Sequence, residues 1–423
     1  MNKRILVICP TSVDRRELAY SYSAPGYEFI YHWFEPTEFD LILQTGLEYQ
    51  TVSASPQTII NDLCDIVKHK QIDGVITSDD YPGSVLAALV AQQMNLPGPD
   101  PKILIRQQHK YCARVDQQQH VAQATPKFRI INTQKDMPND AYPFFIKPIK
   151  SFFSVHAHVI RREQEWLAVK SQLVLPRAFT DHYDYFFKTY IAEYDSAYQF
   201  VAEQLLTGMQ VTVEGYCFED NVTIIGVVDS VMYPGTYSFA CFEYPSMLSH
   251  DIQQRMHAIA ITYIQGIKLN NTLFNIEMIY NPDTDEIYII ELNTRMASQF
   301  ADLYYKVDGM STYQIACDIA VGKWPQVIQR GSGKYNYAAS FVLRTFQDYN
   351  VISVPTNQQI EHVEQLFPDC RIYIPVKPGM KLSDELQDGK SFRYGLIHLG
   401  HHTREQLYDA FEQCKQLLPV QFE

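Results

Sequence analysis

Two glutamates, an asparagine and an arginine recur at period-two spacing within one short stretch, Phe274 to Arg295. It reads FNIEMIY, then NPDTDE, then IYIIELNTR. The flanks are β-branched, aromatic and aliphatic, and the middle is dense in turn formers, so a β-hairpin is expected. Folding it symmetrically about Thr284 sets Glu277 opposite Glu291, with Cβ atoms ~5 Å apart on one face. Asn293 and Arg295 follow Glu291 at period two and join that face. Opposed like charges destabilise a bare hairpin. A divalent cation reverses the sign, and hard oxygen ligands of this kind suit Mg²⁺, which takes one or two carboxylates plus substrate phosphates. The alternative is a pair of ordinary surface glutamates. Each glutamate, however, sits between apolar neighbours, Ile276 and Met278 for one, Ile290 and Leu292 for the other, which argues for a packed sheet.

The elements that must position this hairpin fall into three parts. Residues 1–104 alternate strand, loop and helix: RILVICP, YEFIYHWF (Tyr27 to Phe34), a helix over Gln57 to Lys70, a strand over Gly74 to Thr77 and a helix over Ser84 to Met94. That alternation implies a parallel sheet. Such sheets bind ligands at the carboxyl ends of their strands, where Asp79 and Asp80 lie. Residues 105–330 carry a helix over Ile103 to Arg114 that includes Lys110, then the strand YPFFIKPIK with Lys147 at the end of an apolar run, then FVAEQLLTGMQVTVEGYC, then the hairpin. A lysine placed as Lys147 is must find a partner or snorkel. Residues 331–423 close the chain with a strand, NYAASFVLRTF, and a strand–turn–helix that begins its helix at Thr403 with Glu405 and Gln406 behind it.

Composition narrows the classes. The 423 residues are too many for one compact core, and a hydrophobic content of 46% is ordinary for a globular protein. Lys and Arg number 35 against 48 Asp and Glu, a formal net charge of −13, with no basic run to track a nucleic acid. No apolar run reaches the ~18 residues of a membrane span. The start, MNKRILVICP, reads as a strand and not as a signal peptide. The eight cysteines form no Cys-x-x-Cys pair and read as thiols of a reducing, cytoplasmic compartment. Gly331-Ser332-Gly333-Lys334 lacks the earlier glycine of a P-loop, since Ile328 stands there, and His398, His401 and His402 lack a zinc spacing.

Taken in order, these motifs resemble the ATP-grasp superfamily, in which an acidic residue on one strand is followed by Glu-x-Asn-x-Arg on the next. The resemblance spans most of the chain and implies an ATP-grasp fold of mixed α/β and α+β class, with an N-terminal parallel α/β domain and a C-terminal subdomain. By that likeness Glu277, Glu291 and Asn293 are ligands of Mg²⁺ (or Mn²⁺), and Arg295 is catalytic at an acyl-phosphate. Lys110, with Thr125-Pro126 after it, and Lys147 hold the ATP phosphates. The family's glycine-rich phosphate loop is replaced by Lys150, Ser151, Phe152, Phe153 and Ser154, so the hydroxyls of Ser151 and Ser154 stand in for backbone amides. Glu203, Gln204, Leu205 and Leu206 form the linker that receives adenine, with Gln210 at the ribose and Glu214 a weaker candidate for the same duty. The implied activity is an ADP-forming ligase that activates a small carboxylate for attack by an amine, or less often a thiol. Its partners are then small molecules, with neither nucleic acid nor membrane, and a homodimer is allowed. A biotin carboxylase is the nearest alternative, but Gln299 stands where that reaction needs a glutamate base. A nucleotide-binding regulatory protein without turnover is the other.

Overall fold

The computed structural model describes residues 2–19, 24–32, 55–131, 142–150, 156–171, 173, 177–191, 199–326, 329–384 and 390–423. Ser151 and Ser154 lie outside these residues, as do positions 33 and 34 of the second expected strand.

The alternating N-terminal segment folds as a parallel sheet. Strands β1 (Lys3–Ile8), β2 (Tyr27–His32) and β3 (Gly74–Ile76) pair in the order β2-β1-β3. Helices α1 (Ser12–Ala19), α2 (Pro56–Lys70) and α3 (Gly83–Gln93) accompany it. The start of α2 is written locally: the Ser55 side chain accepts from Thr58 N and Pro56 opens the helix.

The expected helix over 103–114 is two helices, α4 (Pro101–Gln108) and α5 (Lys110–His120). His109 breaks the run at φ −88°, ψ 99°, and its imidazole accepts from Cys112 N at 3.2 Å, a side-chain cap. The ring also stacks on Phe187, 4.3 Å between centroids. The break makes Lys110 the first residue of α5 rather than a mid-helix side chain.

A four-stranded antiparallel sheet follows: β4 (Phe128–Ile131), β5 (Phe144–Pro148), β6 (His158–Ile160) and β7 (Phe200–Gln204), ordered β4-β7-β5-β6. Helices α6 (Glu163–Lys170) and α7 (Arg177–Tyr190) lie between β6 and β7 in the chain.

The largest sheet has eight strands. It contains β8 (Met209–Phe218), β9 (Asn221–Met232), β10 (Phe239–Tyr244), the hairpin β11 (Thr272–Asn281) and β12 (Glu286–Asn293), and β13 (Tyr337–Thr345). Strand β14 (Val351–Ser353) leaves it to pair with the terminal β17 (Gln421–Phe422), while β15 (Arg371–Tyr373) and β16 (Phe392–His401) return. The order is β12-β11-β8-β9-β10-β13-β16-β15, so the segment after residue 330 extends the sheet that carries the hairpin. Helix α8 (His250–Gly266) covers one face, where Val211, Val213, Phe274, Ile276, Met278, Ile289 and Leu292 meet Met256, Ala260 and Tyr263. Helices α9 (Ser298–Asp308) and α10 (Thr312–Ala320) follow the hairpin and join the apolar cluster shared with β1 and β3. Helices α11 (Asn357–Leu366) and α12 (Arg404–Leu417) pack with β13 and β16. Thr403 caps α12 by accepting from Gln406 N. Among the described residues no helix is long and apolar enough to cross a membrane. All eight cysteines are free, and every one but Cys9 is buried.

Candidate active site

Burial of one face of the hairpin against α8 sends the odd-numbered side chains of β11 to the other face. There Glu277 pairs with Glu291 and Asn275 with Asn293. The expected symmetry about Thr284 holds only for these inner pairs. A bulge between Glu277 and Met278 shifts the register, so that Tyr280 faces Ile287 nearer the tip. The extra residue is Ile290, and the carbonyls of Ile289 and Ile290 both accept from the Arg114 guanidinium at 2.8 Å. A bulge disrupts its ladder and needs such outside partners.

Five ion-pair contacts close around this face. Lys110 Nζ lies 2.7 Å from Glu291 Oε1. Glu203 on β7 is shared by Arg114, at 2.8 Å, and Lys147, at 3.0 Å. Lys150 reaches Asp80 at 3.0 Å, and Arg295 Nε lies 3.6 Å from the other oxygen of Asp80. The lysines are brought together by backbone as well: Lys110 N–H donates to the Ile149 carbonyl at 3.1 Å, which ties the start of α5 to the end of β5.

The charges are tuned by burial and by one another. Glu277 is pushed up to about 7, first by burial and then by Glu291. Burial would also raise Glu291, but Lys110 and Lys147 outweigh it and hold that carboxyl low. Glu203 follows the same logic: burial opposes its charge, yet Arg114 and Lys147 hold it at about 2. Lys147 and Lys150 are lowered, chiefly by burial, whereas Glu291 raises Lys110 against its burial. Because Arg114 claims the same carboxylate, Lys147 is left under-compensated.

The glutamate pair fits a divalent cation. Among the described residues Glu277 has no lysine or arginine within ion-pair distance, and it accepts an amide hydrogen bond from Gln210 at 3.0 Å. Asn293 donates to Asn275 Oδ1 at 3.0 Å, which orients its own oxygen as a further donor atom. Among the described residues no three His, Cys, Asp or Glu side chains form a metal cage, so a cation here would rely on two carboxylates, an amide oxygen and phosphate.

Residues 140–303 match the model of the ATP-grasp domain. The chain carries an ATP-grasp domain. A solved L-amino acid ligase from Bacillus licheniformis superposes with TM-score 0.70 at 16% identity, over 100% of this chain and 99% of that one. A phosphoribosylglycinamide synthetase from Anaerococcus prevotii superposes with TM-score 0.67 at 15% identity, over 100% of both chains. These neighbours are ligases that share the fold. The C-terminal section of the carbamoyl phosphate synthase large chain from Methanopyrus kandleri is 29% identical over 27% of this chain, and the match spans only 22% of that relative.

Several of the expected residues have partners within the protein. The Glu203 carboxylate is committed to Arg114 and Lys147. Gln204 lies in β7 and donates its N–H to the Lys127 carbonyl at 2.8 Å, which leaves Leu205 and Leu206 as the linker residues outside a strand. Gln210, expected at the ribose, donates to Glu277. Glu214 is wholly buried, accepts from Ala297 N at 2.8 Å at the start of α9, and is pushed up to about 8 by burial. Sequence reasoning assigned no role to Arg114 or Asn275. Asn275 was accessible to the period-two rule that found Asn293. Arg114 had only the signal of lying one helical turn after Lys110.

Proposed function

We propose that the protein is an ATP-dependent, ADP-forming ligase that activates a small carboxylate as an acyl-phosphate for attack by an amine. The observation that carries this reading is the exchangeable set of ion pairs. Lys110, Lys147 and Lys150 are each held by a carboxylate that a polyphosphate can replace, and Glu291 and Glu277 are carboxylates that a divalent cation can take over. Binding of a nucleotide with its metal would therefore swap partners rather than bury new unpaired charge.

In this reading Leu205 and Leu206 meet the adenine, and Lys110, Lys147 and Lys150 take the phosphates. Glu277, Glu291 and Asn293 would hold Mg²⁺ or Mn²⁺, which would supply charge neutralisation for the phosphoryl group. A substrate carboxylate oxygen attacks the γ-phosphorus and ADP leaves. Arg295 stabilises the oxyanion when the amine attacks the acyl carbon and phosphate departs. Asp80, from residues 1–104, lies 3.6 Å from Arg295, and the thiols suit a reducing compartment such as the cytoplasm. A biotin-carboxylase reaction is disfavoured: Gln299 has no titrating group, and its amide donates to Ser340 Oγ at 2.9 Å.

The test is product analysis with MgATP and a panel of carboxylic acids and amines. ADP, phosphate and an amide in equal amounts are expected, with no turnover on bicarbonate plus biotin. Release of AMP and pyrophosphate, or ATP cleavage dependent on bicarbonate and biotin, overturns the assignment. Nucleotide binding without turnover on any acid would leave a regulatory module.

A further inference from the structure

Beside Arg295 lies a cavity of about 60 Å³. It is bounded by the carboxyl end of β3, by α3 and α10, and by the base of the hairpin at Thr272, Leu273 and Thr294. Its walls are mostly small and apolar: Val75, Ala87, Ala88, Ala91, Pro97 and Ile319. An engineered apolar cavity of ~150 Å³ admits benzene, so this one suits a group of roughly three or four carbons.

The polar atoms in the lining divide into two sets. Thr77 Oγ1 accepts from Asp79 N at 3.0 Å, Ser84 Oγ accepts from Gln108 at 2.7 Å, and Thr272 Oγ1 donates to the Leu273 carbonyl at 3.1 Å. Thr294 Oγ1 and Arg295 Nε are buried and have no hydrogen-bond partner among the described residues. Thr294 is only 4% exposed. The separation of Arg295 Nε from Asp80, 3.6 Å, is an ion-pair distance but too long for a hydrogen bond. Both orphan groups can donate, and they come from consecutive residues. Buried donors left unpaired carry a free-energy cost that an incoming acceptor removes. A carboxylate accepts from both, and its alkyl group then meets the alanine-lined wall.

We infer that this cavity is the acyl-substrate pocket, and that it selects a carboxylate bearing a small branched or straight aliphatic group. The inference deepens the ligase reading and rests on it for what happens to the bound acid, but not for binding itself. The same chemistry is offered by a simple fatty acid such as isovalerate and by an aliphatic amino acid such as valine.

The test is ligand-observed NMR titration of acetate, isovalerate, valine, decanoate and isovaleramide, with and without MgADP. Isovalerate, valine or both should bind at least tenfold more tightly than decanoate and isovaleramide. The stronger of the two identifies the source. Ala87→Leu narrows the cavity from a half-buried position, and should weaken the branched ligand at least tenfold while acetate and MgADP are little affected. Thr294→Val removes the hydroxyl at nearly constant shape, and should weaken carboxylates by roughly tenfold while leaving the fold intact by circular dichroism. If no carboxylate binds in either condition, or if both folded variants bind as the parent does, the pocket assignment is overturned. Binding without ADP release on adding MgATP and an amine would sink the ligase reading alone.

Discussion

Glu203 is one carboxylate serving two buried cations, and its removal should be felt throughout the site. Consider Glu203→Gln, which keeps shape and one acceptor oxygen but deletes the charge. The carboxyl, ordinarily near 4.5, is held at about 2 in the folded chain, a displacement of about 2.5 units. At ~1.4 kcal/mol per unit this is about 3 kcal/mol of stability. The side chain is only 5% exposed, so solvent screening takes little from that figure. Breaking a buried pair from one side costs roughly 3–5 kcal/mol, the same size by a separate route. Arg114 keeps its bonds to Gln117 and to the Ile289 and Ile290 carbonyls, so Lys147 is the cation left stranded. For a chain of this length the unfolding entropy is about 0.9 kcal/mol/K, which turns 3 kcal/mol into a fall in Tm of about 3–4 °C. The sign with pH is set by a depressed carboxyl: the stabilisation is complete above about 4.5 and is lost as pH falls toward about 2. The gap between parent and variant should therefore close across that window. Differential scanning calorimetry of the parent, Glu203→Gln, Lys147→Met and the double variant measures the coupling directly. A Tm change under 1 °C in Glu203→Gln, or strict additivity in the double variant, would refute the shared-carboxylate account.

Three further outcomes are expected. Glu291→Gln should abolish Mg²⁺-dependent ADP release while the protein stays folded, and normal turnover at ordinary Mg²⁺ would end the metal assignment. Lys147→Ala should weaken ATP binding at least tenfold with adenosine much less affected; equal loss of both, by calorimetric titration, would point to misfolding. Glu214 is raised to about 8, so the folded state holds a proton there that the unfolded state releases near 4.5. Stability should then fall as pH rises between those values, and Glu214→Gln, permanently neutral, should show a smaller fall in urea melts at pH 5 and pH 8. A parallel decline in both proteins would mean that Glu214 is ionised in the fold.

What was legible in the sequence was local. The Glu277–Glu291 opposition follows from period-two alternation around the turn formers of Asn281 to Glu286, and that information lies within a few residues of the pair. The strand that carries Lys147 and the α12 cap at Thr403 are readable for the same reason. The partners of the charges were not. Lys110 meets Glu291 across 181 residues, Arg114 meets Glu203 across 89, and Lys150 meets Asp80 across 70. Each pairing depends on how sheets and helices dock, which no local pattern encodes. The bulge at Ile290 is likewise invisible without Arg114, because its carbonyls are satisfied from a helix far away in the chain. His109 ends α4 by a cap and a ring stack on Phe187, so the helix expected over 103–114 was interrupted by a tertiary contact. Gln210 meets Glu277 because β8 pairs with β11. Residue types alone could name the chemistry of this site; only the packing of its elements decided which charge answers which.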